Sequence, residues 1–273
     1  MVIVEEILED FLYYSEKNKD LSEILTRLGV NLLDKHNYSE KFAGIIVAKV
    51  VKQIDSTDAN YIYLDEKNNN ITSKQELELQ DLVLINEEKE VLEYSDLPYL
   101  PILQGEGIVK LDSFHNFGTD ISTSLSIRYK YILSDNVWDL FASYYDLAKA
   151  ISQVEDVFIL DKAPVNIQTR QALSGEEFTE LKQDNLIVEA PNNTTMPQWL
   201  QMRLHLQGTE VDDFAQAVAK YVELEYGLKI GLDIINNKYV YQIDESKLAS
   251  KSIDRIQEIW EQSNGAKYYT QKN

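Results

Sequence analysis

The most regular stretch of the chain is GLKIGLDIINNKYVYQI, residues 227–243, in which aliphatic residues alternate on both sides of Asn236–Asn237. Asparagine tolerates the left-handed backbone of a type I′ turn, so the pattern predicts a two-residue hairpin. Its register follows directly: Ile235 faces Lys238, Ile234 faces Tyr239, Asp233 faces Val240, Leu232 faces Tyr241 and Ile230 faces Ile243. Ile230, Leu232 and Ile234 then share a core face with Tyr239, Tyr241 and Ile243. Asp233 falls on the opposite face, without an acid or histidine beside it. Ile235 and Val240 flank it there, a sign that this face is covered too.

Ile3, Ile7, Leu8, Phe11 and Leu12 recur at three-to-four spacing and predict a helix over 3–16. Asp20 and Glu23 form a capping box for a second helix carrying Leu21, Ile24, Leu25 and Leu28, which Gly29 ends or bends. From Phe42 the period shortens. GIIVAKVVKQI, YIYLD, ELELQ, DLVLI and EVLEY are short strands joined by polar turns, and they predict a small, highly curved antiparallel unit of the SH3-like barrel kind. The punctuated stretch YSDLPYLPILQGEG is a linker or an arm, whose Tyr94, Leu97, Tyr99, Leu100 and Ile102 need something to pack against.

Beyond the arm, ISTSLSIRYKY at 121–131 alternates cleanly and predicts a long strand wet on one side. A helix follows over 136–153, with Val137, Leu140, Phe141, Tyr144, Leu147 and Ile151 inward. VEDVFILD and LIVEA are strands, and Ser174 with Glu177 caps a short helix, GEEFTELKQ. WLQMRLHLQ alternates Leu200, Met202, Leu204 and Leu206 against Gln201, Arg203 and His205, again as a strand. Thr209 caps the helix after it, which buries Val211, Phe214, Ala215, Val218 and Val222. A last helix over 246–262 turns Leu248, Ile253, Ile256 and Ile259 inward, with Trp260 beside them.

The expected fold is therefore α+β. A helical segment at 1–41 precedes the small β-barrel-like domain at 42–94 and the linker at 95–106. An α+β domain at 107–273 follows, its mixed or antiparallel sheet packed with helices and ending in β-α-β-β-α.

Composition adds constraints on chemistry. The chain of 273 residues has no cysteine, which removes disulfides, thiol catalysis and thiolate metal sites. Its formal charge of −20 repels phosphate backbones and anionic membranes and favours basic partners, so neither direct nucleic-acid binding nor membrane insertion is expected. The acidic opening MVIVEEILEDF lacks the basic start of a signal peptide, and the expected location is the cytoplasm or a virion.

Site motifs are absent. His36, His115 and His205 are scattered and form no metal pair; the acids of EVDD at 210–213 are accounted for by helix capping. QGEGIVK at 104–110 lacks the ending of a phosphate loop, and LSGEE at 173–177 is a cap rather than a nucleophile elbow. No catalytic, metal or cofactor-binding residue is assigned, and no cofactor is expected. Seventeen tyrosines are more telling, because tyrosine supplies rigid contact area to interfaces.

These features predict a non-catalytic structural or adaptor subunit of a multi-protein assembly, homo- or hetero-oligomeric, such as a virion or phage-tail or neck component. Its interface candidates are Tyr94, Leu97, Tyr99, Leu100, Ile102 and, in the tail KYYTQKN, Tyr268 and Tyr269. The alternatives are a hydrolase built on carboxylates and an acidic regulatory protein or inhibitor with a basic partner.

Overall fold

The structure, a computed structural model, describes residues 1–14, 20–57, 60–97, 105–111, 117–124, 129–160, 170–173, 185–191, 194–243, 247–262 and 266–271. In chain order the elements begin with β1 (Val2–Val4), α1 (Glu5–Glu9), β2 (Leu12–Tyr14), α2 (Leu21–Arg27) and β3 (Leu32–Asn37). There follow β4 (Ile46–Lys49), β5 (Lys52–Ser56), β6 (Tyr61–Leu64), β7 (Asn70–Ser73), β8 (Leu82–Ile85), β9 (Lys110–Leu111), α3 (Ile121–Ser124) and β10 (Lys130–Ser134). The remainder is α4 (Val137–Leu140), α5 (Tyr144–Val154), β11 (Val157–Ile159), β12 (Gln171–Leu173), β13 (Leu186–Glu189), α6 (Gln198–Leu206) and α7 (Phe214–Tyr226). It closes with β14 (Ile230–Ile235), β15 (Lys238–Ile243), α8 (Ala249–Glu261) and β16 (Lys267–Gln271).

The chain divides into two compact units, one of Met1–Asp34 with Ile132–Asn273 and one of Lys35–Tyr131. The second unit contains the expected barrel, and there the expectation fails: its sheets stay open, with isolated bridges from Glu90 to Thr72 and from Val91 to Ile85 between them. β4, β8 and β9 form one three-stranded sheet, and β5, β6 and β7 form another. Val50 and Val51 lie where the chain passes from one sheet to the other. The Val50 N–H is held by Asp81 and the Val51 N–H by Leu64. Ala48, Val50, Tyr63, Ile71, Val83 and Ile85 share one apolar cluster, so the core exists without a closed ladder. Closure needs the first and last strands to pair. Here the edge strand β5 is exposed along its whole length and carries a bulge between Gln53 and Asp55.

In the first unit the five-stranded sheet runs β12-β16-β13-β15-β14, mixed because β12 lies parallel to β16. The hairpin register is the one its sequence dictates, with Asn236 and Asn237 at φ of 50° and 59°. One face, carrying Leu186, Tyr241 and Ile243, meets α7 and α8. The Tyr241 hydroxyl donates to the Ala215 carbonyl at 3.0 Å and accepts from Trp260 Nε1 at 2.8 Å. Ile187 and Val240, both fully buried, lie with Tyr269 and Ile235 on the other face, so that face too is partly covered. The core face stops short of the hairpin tip, where Ile234 is 67% exposed.

Several elements differ from expectation. The expected helix over 3–16 is a strand, a short helix and a second strand, although Ile3, Ile7, Leu8, Phe11 and Leu12 are all buried as the stripe requires. Val2-Ile3-Val4 is β-branched, and the Val4 N–H is tied to the Tyr144 hydroxyl at 2.7 Å instead of to a helix. WLQMRLHLQ is helical, as α6, and it touches both α7 and β1. The 121–131 stretch begins as α3, because Asp120 Oδ1 accepts the Ser122 N–H at 2.8 Å and starts a turn.

The 136–153 helix is broken between α4 and α5, where Phe141 is extended and Ser143 caps α5 by accepting the Asp146 N–H. The cap of α7 is Asp213 rather than Thr209. Helix α7 ends at Gly227, whose φ of 70° disfavours any side chain and whose backbone packs tightly against Ser143 and the Ala142 carbonyl. The helix expected at GEEFTELKQ lies outside the described residues.

Tyr241 offers a direct test. Tyr241→Phe leaves the Trp260 N–H unpaired in the core and removes the extra bond to the Ala215 carbonyl, and should lower stability by about 1–3 kcal/mol. Tyr241→Ala should cost about 3 kcal/mol or more. Asp233→Asn, exposed and still able to accept from Gln242, should stay within about 0.5 kcal/mol. Denaturant titrations of the three variants read all of these.

Candidate functional site

A cluster of charged and aromatic side chains sits where the N-terminal segment meets α6, α7 and α8. The Arg255 guanidinium grips Glu225 with a fork, Nε to Oε2 at 2.9 Å and Nη2 to Oε1 at 2.9 Å, and its Nη1 reaches Glu258 at 2.8 Å. Both Glu225 oxygens accept, as a carboxylate does. Burial pushes the Glu225 carboxyl above its ordinary range, with Arg255 pulling the other way. Tyr221, fully buried and with its hydroxyl pushed up by burial, hydrogen-bonds Glu225 and accepts from Arg203 Nη1 at 2.5 Å. The same Arg203 nitrogen pairs with Asp10, and the Arg255 fork lies 3.6 Å from that carboxylate. Arg203 also lies over the rings of Trp199 and Tyr221, at 5.3 and 5.9 Å from their centroids.

The chemistry available here is anchoring. Glu225, Glu258 and Asp10 are each engaged by a guanidinium, and Asp10 is the carboxylate of the three contributed by the N-terminal segment. Next to it Phe11 inserts between Tyr145 and Tyr226, with ring centroids at 5.9 and 5.6 Å, both edge-on. The Phe11 carbonyl accepts the Leu160 N–H at 2.7 Å. Asp10 and Phe11 are thereby fixed immediately before the chain becomes β2.

That fixing shapes a candidate interaction surface. β2 and β11 form a two-stranded antiparallel ribbon in which Leu12 faces Ile159, Tyr13 faces Phe158 and Tyr14 faces Val157. Leu12 and Val157 are buried on the inner face. On the outer face Tyr13 and Phe158, directly opposite one another, are 58% and 61% exposed, and Val154 just before β11 is exposed as well. Directly opposed side chains on a ladder sit within contact reach of one another. A rigid, apolar, exposed aromatic pair of this kind marks interfaces more than it marks surface in general.

The sequence candidates fall elsewhere. Tyr94 is half-buried in a 3₁₀ turn, Tyr94–Asp96, where its ring covers Gly105, and Leu97 is buried. Tyr99, Leu100 and Ile102 lie outside the described residues. Tyr268 and Tyr269 belong to β16, inside the sheet between β12 and β13, so the chain's own ladder orders that strand. β16 is also pinned by Glu189, which accepts from Lys267 at 3.0 Å and from the Tyr269 hydroxyl at 3.1 Å and pairs with Lys238 at 3.1 Å.

His36 stacks on Tyr131 and His205 lies in α6, while His115 lies outside the described residues. Among the described residues no three His, Asp or Glu side chains are grouped as a metal ion requires, and no helix is long and apolar enough to cross a membrane. Tyr13 and Phe158 were missed because Tyr13 fell in an expected helix. Phe158 was findable, since Val157 and Ile159 point inward on either side of it.

No family model matches the chain, and no curated protein matches it either.

Two tests address the anchors. Arg255→Leu strands Glu225 in the core without a counter-charge and should lower stability by about 3–5 kcal/mol, well beyond the effect of Glu225→Gln. At β16, hydrogen bonds from Lys267, Lys238 and Tyr269 hold the Glu189 carboxyl down to about 2. A depressed carboxyl stabilises the fold above the unfolded value, about 4.3, and loses that contribution as pH falls toward the folded one. The stability difference between the parent and Glu189→Gln should therefore be constant above about pH 5 and vanish toward about pH 2, as measured by chemical denaturation across pH.

Proposed function

We propose that the chain is a non-catalytic subunit of a multi-protein assembly, and that the Tyr13–Phe158 face of the β2–β11 ribbon is one of its contact surfaces. The observation that carries this reading is the exposure of both rings, 58% and 61%, on a strand pair whose inner face is locked into the core. Exposed aromatic area of this kind is costly in water and is recovered by a partner. The anchoring of Asp10 and Phe11 beneath it supports the same reading, because a preorganised surface loses less entropy on binding. The formal charge of −20 favours a partner with basic or neutral contact residues over random self-association.

The test is the native mass of the protein in gentle extracts of its source cells, beside the double variant Tyr13→Ser with Phe158→Ser. The parent should run as part of a complex of fixed mass. The variant should run as a free chain, with folding stability within about 1 kcal/mol of the parent because both rings are exposed. A parent that is strictly monomeric in the extract would sink the reading, and so would a variant that stays in the complex.

A further inference from the structure

The edge strand β14 has a backbone whose direction can be worked out residue by residue. A two-residue turn makes Ile235 and Lys238 the first hydrogen-bonded pair of the hairpin. Alternate residues of a strand turn their N–H and C=O to the same side. Ile235, Asp233 and Gly231 therefore bond β15, while Ile234, Leu232 and Ile230 point away from it. Ile230 agrees with this parity, because its N–H donates to Glu223 Oε1 of α7 at 2.8 Å. Glu223 thus closes the inner end of the edge. Leu232 and Ile234 are left with outward backbone groups that meet no other strand among the described residues. Between them Asp233 is exposed, taking one hydrogen bond from Gln242 Nε2 at 2.7 Å, and Ile234 is 67% exposed.

We infer that β14 accepts an extended segment of a basic protein partner as a sixth strand, antiparallel, with a lysine or arginine opposite Asp233 and apolar residues beside Leu232 and Ile234. The inference rests on the assembly reading above and names the chemistry of one of its partners. Four backbone hydrogen bonds become available, from the N–H and C=O of Leu232 and of Ile234. Asp233 would form a non-hydrogen-bonded cross-strand pair, the closer kind, so its charge selects the facing residue.

A second copy of the chain fits less well. Antiparallel self-pairing joins only residues whose numbers sum to an even value, since outward groups must meet outward groups. The register centred on Asp233 uses both free residues but sets Asp233 against the same residue of the other copy. Registers centred on Leu232 or Gly231 need the Ile230 N–H that Glu223 already holds, and one centred on Ile234 sets Leu232 against Asn236, a turn residue at φ 50°. The charge of −20 on each copy adds repulsion. A basic segment meets none of these obstacles.

The test titrates the full chain with capped synthetic peptides TVKVT and TVEVT at millimolar concentration and follows backbone amide shifts by NMR. The amides of Leu232 and Ile234 should shift saturably with TVKVT, which should bind about fivefold more tightly than TVEVT. Asp233→Lys should reverse that preference. Ile234→Pro, which removes an outward donor and no bond of the hairpin ladder, should abolish binding while thermal unfolding stays near the parent's.

The inference is overturned by the absence of saturable shifts at both amides, or by an unchanged preference in Asp233→Lys. Concentration-dependent shifts at the same amides without peptide would give the edge to a second copy and overturn it equally. Loss of the edge with a complex that still depends on Tyr13 and Phe158 would leave the assembly reading standing. Peptide binding in a chain that is monomeric in its extract would leave the edge standing and remove that reading.

Discussion

The buried fork between Arg255 and Glu225 is the interaction around which the first unit is organised. Helix α7 carries Glu225 and Tyr221, α8 carries Arg255, α6 carries Arg203, and the N-terminal segment contributes Asp10. Taking a carboxylate and a guanidinium out of water costs several kcal/mol for each ion, and only good geometry with further hydrogen bonds offsets it. The geometry is good here, with two N–H donors from Arg255, one of them shared between both oxygens, on Glu225 and a tyrosine on the same carboxylate. Such a pair adds little net stability over an apolar one of the same shape. What it adds is selectivity, since any packing of α7 on α8 that separates the charges leaves each of them stranded. The α7–α8 arrangement in turn presents Ala215 and Trp260 to Tyr241, and so sets where the sheet lies.

How much of this could be read from residues alone depended on how local each signal was. The hairpin was legible to the residue, because two asparagines and a strict alternation leave one register. Which parts of its core face would be covered was not legible, because that depends on how far α7 and α8 reach, and they stop short of Ile234. The N-terminal stripe gave the right buried residues and the wrong element, since a β-branched run and a short helix can bury the same five side chains. WLQMRLHLQ failed for a different reason. A helix covered on two sides, by α7 and β1, loses its amphipathic period, and nine residues are too few to tell the resulting pattern from strand alternation. The absence of any β-branched residue in that stretch, beside glutamine, leucine, methionine and arginine, was the available hint of helix. The open sheets of the second unit had no local signature at all, because closure is a property of which edges meet.

The candidate surfaces were the least legible part, for a physical reason. Sequence reading looks for exposed apolar residues where punctuation suggests a loose arm, yet Leu97 is buried and the tail tyrosines of β16 are sheet residues. The exposed aromatics are instead on the outer face of a ribbon whose inner face is core. Phe158 has Val157 and Ile159 on either side pointing inward, and the strand's period of two sends it out. Exposure of this sort is a consequence of regular structure, and it becomes visible only once each strand's face is known.

The acidic surface and the exposed apolar features are best understood together. An open edge with isoleucine at its tip and an exposed Tyr–Phe pair are hazards in a chain free to meet copies of itself. A formal charge of −20 opposes those encounters at long range, and Asp233 and Glu223 oppose them again at the edge itself, one by like charge and the other by occupying a donor. Neither device blocks a basic strand, and Asp233 favours one. The carboxylate in GLKIGLDII is therefore placed where a structural hairpin would have no need of a charge for its own stability, and where an edge selecting its neighbour would.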